Sequence, residues 1–394
     1  MTYRLKSTYA AVGIGLTCAL LSAFLAHRFL FLEPLHWKIF DRLNQIHYTL
    51  FPSAGQNKDI LLVVIDNPTL ENMPSRWPFT RADFAQAIEH LYQAGARVVA
   101  FDFVFLGKSD VNNDALLEKT LTTHTSLVLA NSINEEGSLE FAPLAANKTR
   151  SGIVTKIQDS DGTIRRDLTY LVDAQAASQG YLSWCMQTLD AVKPLAFETI
   201  NTKRNIMTFV TKAGDTWSIP IAPTTHTFLI RYRYHTTNFI RLPFYRVVQG
   251  TFDPAMAKNK IVIVGFLSSL FGDVHKTPIG WLPGITLNAN SFLTLYHRDF
   301  MHPVPWLLEI ITSLIAVAMG IWLARDCSFQ KSLLIILAEI VVFLLISFAL
   351  FANNFIWHYA LTPIALVLLV PGAKLIGHRL LGQKGHTKPS NRLG

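Results

Sequence analysis

The distribution of apolar segments constrains the fold of this chain most strongly. One uncharged segment, residues 9–26, precedes a long polar middle, and three apolar segments follow it at residues 306–324, 332–351 and 357–373. Glu309 and Glu339 are the only charged residues inside these four segments. Each segment is close to the length that a helix needs to cross a bilayer. The sequence therefore predicts four transmembrane α-helices, one N-terminal and three C-terminal.

Lysine and arginine residues beside these segments predict their orientation. Basic residues precede the first segment, lie in the connection between the second and third, and follow the fourth. Positive charge is retained on the cytoplasmic side of a membrane, and with four spans these three regions must share one side. Three basic residues just after the first segment run against the pattern, but long domains translocate largely regardless of charge. We therefore expect both termini in the cytoplasm and the polar middle outside.

The first apolar segment has an alternative interpretation as a cleaved signal peptide, because small residues follow it. However, its uncharged run is long for a signal core, and no clean small-x-small site precedes His27. We favour a retained span.

Four regions follow from this pattern. They are the cytoplasmic N-terminus with the first helix (1–32), an extracytoplasmic domain (33–303), three transmembrane helices (304–376) and a short basic tail (377–394). The net charge of +8 lies partly in that tail, which we expect to fix topology and contact anionic lipid rather than nucleic acid. Cys185 is the only cysteine of the predicted outer domain, so an internal disulfide there is excluded.

Strand-like and helix-like segments alternate in the outer domain. The apolar run 60–66 ends in an acid and is typical of a strand buried on both faces. Thr80 and Asp83 then form a capping-box pattern before a helical repeat, and residues 97–103 and 260–265 read as further buried strands. The pattern predicts an α/β domain with a mainly parallel central sheet.

Catalytic motifs are missing from the sequence. It contains no Gly-rich nucleotide loop, no GxSxG, no HExxH and no CxxC, and the triplet HRD at residues 297–299 lacks the other parts of a kinase site. No nucleophile and base stand in a recognisable spacing. We therefore predict that the chain is not an enzyme.

Acids stand at the ends of three predicted strands. Asp66 ends the first, Asp102 ends the second, and Asp273 lies in the loop after residues 260–265. Parallel strands present their carboxyl ends at one edge of a sheet, where ligands bind. Arg76, Trp77 and Arg81 should lie at the same edge, so these six residues form the predicted strand-end cluster.

This cluster has two interpretations. In one, Arg76 or Arg81 only neutralises an acid and Trp77 covers the sheet edge. In the other, the acids bind a ligand, since clustered carboxylates need a cation or raised pKa values. A divalent cation or a cationic ligand would make this the sensory site.

Several motifs together resemble the second class of CHASE domains, which are extracellular sensory modules associated with cyclases and histidine kinases. The resemblance runs over residues 35–296 and is carried by IDN, RWPFTR, AFDFVF, KIVIVG, GDVHKTP and PGITLNAN in that order. The flanking plan of one span before the domain and three after it is also similar to the family. One departure lies at residues 286–288, where Thr-Leu-Asn stands although the family often shows a histidine before the Ala-Asn pair.

The resemblance implies a sensor or receptor-like protein in a bacterial inner membrane, with its main domain in the periplasm and a tendency to form homodimers. Family members commonly continue from the last span into a signalling domain, whereas here only the basic tail follows, so we expect signalling to a separate partner protein. The alternative is a structural or docking subunit of a cell-envelope membrane complex. In either case Glu339 should face other helices rather than lipid, because an ionised carboxylate in lipid is costly.

Overall fold

The computed structural model describes residues 33–51, 56–133, 139–140, 150–172, 180–203, 205–222, 224–267, 271–305, parts of 307–322, and 328–357. The chain divides into two compact units. One comprises Met1–Leu43 with His302–Gly394, and the other is Asn44–Met301. The second unit lies within the predicted outer domain.

Sixteen strands occur in the described part of the unit 44–301. They are β1 (Ile60–Ile65), β2 (Val98–Phe101), β3 (Leu127–Ile133), β4 (Leu139–Glu140), β5 (Arg150–Ile153), β6 (Arg166–Leu168), β7 (Tyr170–Val172), β8 (Gly180–Leu182), β9 (Leu195–Lys203), β10 (Ile206–Thr211), β11 (Thr216–Pro220), β12 (Thr227–Leu229), β13 (Ile240–Pro243), β14 (Ile261–Phe266), β15 (Val274–Thr277) and β16 (Gly280–Pro283).

The helices are α1 (Glu33–Leu50), which crosses the boundary between the units, and α2 (Asn67–Asn72), α3 (Arg81–Gln93), α4 (Val111–Thr123), α5 (Trp184–Val192), α6 (Phe244–Val248) and α7 (Gly284–Tyr296). Two 3₁₀ turns lie at Thr236–Asn238 and Pro254–Met256.

A seven-stranded sheet organises this unit. Its order is β13-β1-β14-β2-β3-β4, with β5 also paired to β3. All pairings are parallel except that of β3 with β4. The predicted α/β fold with a mainly parallel sheet is therefore confirmed. The strands β1 and β2 are parallel, as expected of a βαβ unit, but β14 from far along the chain lies between them.

Helices cover both faces of the sheet. Side chains alternate along β1, so Leu62 and Val64 pack with residues of α5 and α7, whereas Leu61 and Val63 pack with residues of α3, α4 and α6. Every residue of β1 and β2 is buried. This explains why these strands read as continuous apolar runs rather than alternating ones.

Local capping decides where several helices begin. Thr80 and Asp83 form the predicted capping box, with reciprocal hydrogen bonds of 3.2 and 2.9 Å between the backbone N–H of one residue and the side chain of the other. The helix α5 begins at Trp184, because the Ser183 hydroxyl accepts from the Met186 N–H and caps it there. The preceding residues form β8.

The other unit contains α8 (Phe329–Ala352), β17 (His302–Pro303) and β18 (Phe355–Ile356). Among the described residues, one helix, Leu333–Ala352, is long and apolar enough to cross a membrane. It corresponds to the third predicted span. The first span and nearly all of the fourth lie outside the described residues, and the second is described only in part.

Candidate functional site

A cavity of about 620 Å³ opens at the carboxyl ends of β2 and β14. We call it the strand-end cavity. Its lining comes from segments far apart in the sequence, namely Trp77, Asp102, Val154, Thr155, Lys156, Gln158, Ile164, Phe266, Phe271, Asp273, His275, Gly284, Leu287 and Asn288. Ligands of open parallel sheets bind at this edge.

Asp102 is the most buried acid of the cavity, with 8% of its surface exposed. Its backbone N–H donates to the Val264 carbonyl at 2.8 Å, which continues the sheet to the start of the cavity. Gly265 leaves room for it, since a Cβ there would lie 3.1 Å from the Asp102 Cβ. The Asn288 amide donates to Asp102 Oδ1 at 2.6 Å. Asp102 Oδ2 is buried and has no hydrogen-bond partner among the described residues.

This environment changes the acidity of Asp102. Burial raises the pKa of Asp102 well above its usual range, and the nearby Asp273 carboxylate raises it further. Lys156 and the hydrogen bond from Asn288 act in the opposite direction. Asp102 therefore holds its proton to a higher pH than an exposed aspartate does.

Asp273 is the second acid that lines the cavity, and we call Asp102 and Asp273 the acidic pair. Its Oδ1 lies 2.9 Å from His275 Nε2, and its backbone carbonyl accepts from the Gly284 N–H at 3.0 Å. Gly284 is the first residue of α7, and a Cβ at that position would overlap the Asp273 carboxyl group. The missing side chain of Gly284 thus lets a carboxylate reach the positive end of α7.

Lys156, which also lines the cavity, forms a buried ion pair with Asp167. Lys156 Nζ donates to Asp167 Oδ2 at 2.7 Å, and the Asp167 side chain is fully buried. Asp167 also accepts from the Ser291 hydroxyl and, at 2.8 Å, from the Leu168 N–H. Burial is the largest single influence and would lower the pKa of Lys156, but Asp167, Cys185 and Asp102 together outweigh it and the pKa of Lys156 is raised. Lys156 is therefore a charged group whose first partner is Asp167.

Aromatic rings form another wall of the cavity. The Trp77 ring meets Phe266 and Phe271 edge-on, with centroids 5.1 and 5.5 Å apart. Phe266 and Phe271 stack at 4.3 Å. Trp77 also contacts Phe79, Phe84 and Phe103 and so is anchored in the core on that face of the sheet. The cavity thus combines an acidic side with an aromatic side.

The family model for the CHASE2 domain matches residues 16–323, well over half of the chain. The chain belongs to the CHASE2 family. CHASE2 domains are extracellular sensory domains of membrane proteins. No curated protein and no solved structure matches the chain significantly.

Three of the six residues predicted for the strand-end cluster line the strand-end cavity: Trp77, Asp102 and Asp273. Asp66 lies at the same sheet edge, directly after β1, but its side chain caps α2 by accepting from the Thr69 N–H and hydroxyl at 3.0 and 2.8 Å. It does not line the cavity. A ligand-binding role for the cluster stays a prediction.

The predicted pairing of Arg76 or Arg81 with these acids is wrong. Arg81 starts α3, which packs beside α4, so its guanidinium lies 3.7 Å from Asp114 of α4. It also donates to the Leu106 carbonyl at 3.0 Å and covers the Phe105 ring. Arg76 is exposed and forms no ion pair within the described part of the chain. The neighbours of the acids are instead Lys156, which lowers the pKa of Asp102, and His275, whose Nε2 lies 2.9 Å from Asp273 Oδ1.

A metal site at the acidic pair is not indicated by the geometry. Among the described residues, no group of three His, Cys, Asp or Glu side chains is close enough to hold a metal ion. Asp66, the third predicted acid, is engaged with Thr69 at the start of α2.

The sequence does not mark Lys156 and Asn288 as cavity residues, or Asp167 as the partner of Lys156. Lys156 follows β5 and Asp167 lies within β6, and no spacing in the sequence connects either residue with β2. Asn288 was noted only because it precedes the Ala-Asn pair of the family motif. Its contact with Asp102 places that family position directly against the buried acid.

Proposed function

We propose that this CHASE2 protein is a membrane-anchored extracytoplasmic sensor that binds a ligand in the strand-end cavity and signals to a separate partner through its membrane helices. The observation that carries the proposal is Asp102 Oδ2, a buried oxygen of a cavity-lining residue that has no hydrogen-bond partner among the residues the structure describes.

A purely structural role fits this oxygen poorly. A buried polar atom without a partner costs about 1–3 kcal/mol, more when it is charged. An acid that only braced the sheet would be paired on both oxygens, as Asp167 is. A cavity that retains an unpaired acid is instead suited to a ligand that supplies the missing partner.

Glu339 supports the proposed path to a partner. It lies within α8, is half-buried, and has a buried Oε2 without a hydrogen-bond partner among the described residues. A polar group at that depth is stabilised by a polar contact from another helix. We propose that this contact comes from the membrane helices of this chain, a second copy or the partner.

The sensor role is tested in the native host by comparing transcript profiles of the wild type, a deletion strain and an Asp102→Asn strain. A sensor predicts that Asp102→Asn reproduces the regulatory changes of the deletion while its level in the membrane is unchanged. Asp66→Asn is the matched control, because Asp66 lies at the same sheet edge outside the cavity and asparagine also caps helices well.

A structural or docking subunit gives a different pattern. In that case Asp102→Asn cells behave like the wild type as long as the variant is present at normal levels, and only the deletion has a phenotype. That result would overturn the sensor role.

A further inference from the structure

We infer that the strand-end cavity binds a small organic amine, with a primary ammonium group at Asp102 and an apolar or aromatic body against the aromatic wall. This inference rests on the proposed function and names the class of ligand for that site.

The charges that line the cavity select a cation. Asp102 and Asp273 both line it, and each disfavours an anionic group nearby. The basic side chains of the lining already have partners, since Lys156 is held by the fully buried Asp167 and His275 Nε2 lies 2.9 Å from Asp273 Oδ1. A ligand that enters the cavity therefore meets an excess of acceptor atoms. It must donate hydrogen bonds. A positive charge stabilises the ionised form of Asp102, so binding of an ammonium group lowers the raised pKa of this acid and releases its proton to solvent.

The geometry of Asp102 selects the type of cation. Asn288 occupies Oδ1, which leaves Oδ2 as the open acceptor. A guanidinium gains most from a carboxylate when both oxygens are open to its fork, so the arrangement favours the compact donor of an ammonium. A quaternary ammonium has no N–H and would leave Oδ2 unsatisfied. A divalent metal needs more oxygen ligands than this side of the cavity provides.

The remaining lining selects the body of the ligand. Trp77, Phe266 and Phe271 present ring surface to the cavity, and Ile164 and Leu287 add aliphatic surface. Burial of apolar ligand surface against such walls is favourable, and ring faces attract a cation as well. An amine with an aromatic or aliphatic body satisfies both sides of the cavity at once.

The test is isothermal titration of the full chain in detergent near neutral pH with n-butylamine, 2-phenylethylamine and tryptamine. The neutral analogue 2-phenylethanol serves as the ligand control. We expect at least one amine to bind, 2-phenylethanol to bind at least about tenfold more weakly than 2-phenylethylamine, and Asp102→Asn to weaken amine binding by a similar factor. Asp66→Asn should bind as the wild type does.

Three results would overturn the inference: no amine binds at millimolar concentration, the alcohol binds as well as the amine, or Asp102→Asn binds amines normally. Failure of the sensor role is distinguishable from these. If amines do not bind but Asp102→Asn still reproduces the deletion profile in cells, the ligand class is wrong and the sensor role stands. If amines bind as expected but Asp102→Asn cells resemble the wild type, the ligand class stands and the sensor role is wrong.

Discussion

The Asn288 side chain donates a hydrogen bond of 2.6 Å to Oδ1 of Asp102, 186 residues away in the sequence. This contact joins the start of α7 to the end of β2 at the strand-end cavity. It satisfies one carboxyl oxygen and leaves the other, Oδ2, buried without a partner in the described part of the chain. In the proposed sensor, a ligand with a donor group would supply the missing partner of Oδ2.

Asp102→Asn should make the free protein more stable at neutral pH. Burial raises the pKa of Asp102 in the folded state, so between the ordinary carboxyl pKa and this raised value the folded state binds more protons than the unfolded state. Stability then falls as pH rises through that window. The stability of the asparagine variant does not fall in this way, because asparagine does not titrate.

The measurement is the melting temperature of the full chain and of Asp102→Asn in detergent, from about pH 4, near the usual carboxyl pKa, to about pH 8. The difference in favour of the variant should grow as pH rises. All other titrating groups are shared, so the difference reports the titration of Asp102 together with its interaction with Asp273. A variant that is less stable than the wild type at every pH would assign Asp102 to structural bracing.

Lys156→Met should strongly destabilise the outer domain. It leaves the fully buried Asp167 without its cation, and removal of one partner of a buried pair costs about 3–5 kcal/mol. The double variant Lys156→Met/Asp167→Asn removes the unpaired charge and should recover much of the lost stability. Thermal unfolding of the three proteins checks this. If the double variant is no more stable than the single one, the ion pair is not the cause of the loss.

Gly284→Ala should have opposite effects in two backgrounds. The three atoms nearest to a Cβ at this position all belong to the Asp273 carboxyl group, so in the wild type the substitution displaces Asp273 from α7 and destabilises the domain. In an Asp273→Ala background the obstacle is gone, and alanine should stabilise the helix by up to about 1 kcal/mol over glycine. A double-mutant cycle by thermal unfolding measures this coupling. Additive effects would contradict the contact.

Reporter fusions test the predicted membrane topology. Fusions at Gly394 and in the turn at Gly214 should report opposite sides of the membrane, because basic residues flank the C-terminal segments. Gly214 is suited to an insertion, since it lies in the turn between β10 and β11 with no atom near a Cβ built on it. The same side for both fusions would refute the four-span arrangement.

The fold was predictable where local sequence carries the signal. The apolar runs of β1 and β14 and the capping box at Thr80 identified their elements, and parallel strand ends placed Asp66 and Asp102 at one edge. The partners of the acids were not predictable. The sequence predicts that Arg81 lies at the same sheet edge as Asp102. In the structure α3 packs against α4, and Arg81 lies beside Asp114 instead. Lys156 and Asn288 reach the site only through tertiary packing. No fixed spacing in the sequence marks such contacts.

The most direct test of the ligand site is hydrogen–deuterium exchange of the full chain in detergent, with and without 2-phenylethylamine. The account predicts slower exchange in the segments that line the cavity, residues 100–105, 153–158 and 284–289, and loss of this protection in Asp102→Asn. Protection confined to other segments, or the same protection in Asp102→Asn, would show that the strand-end cavity is not where the ligand binds.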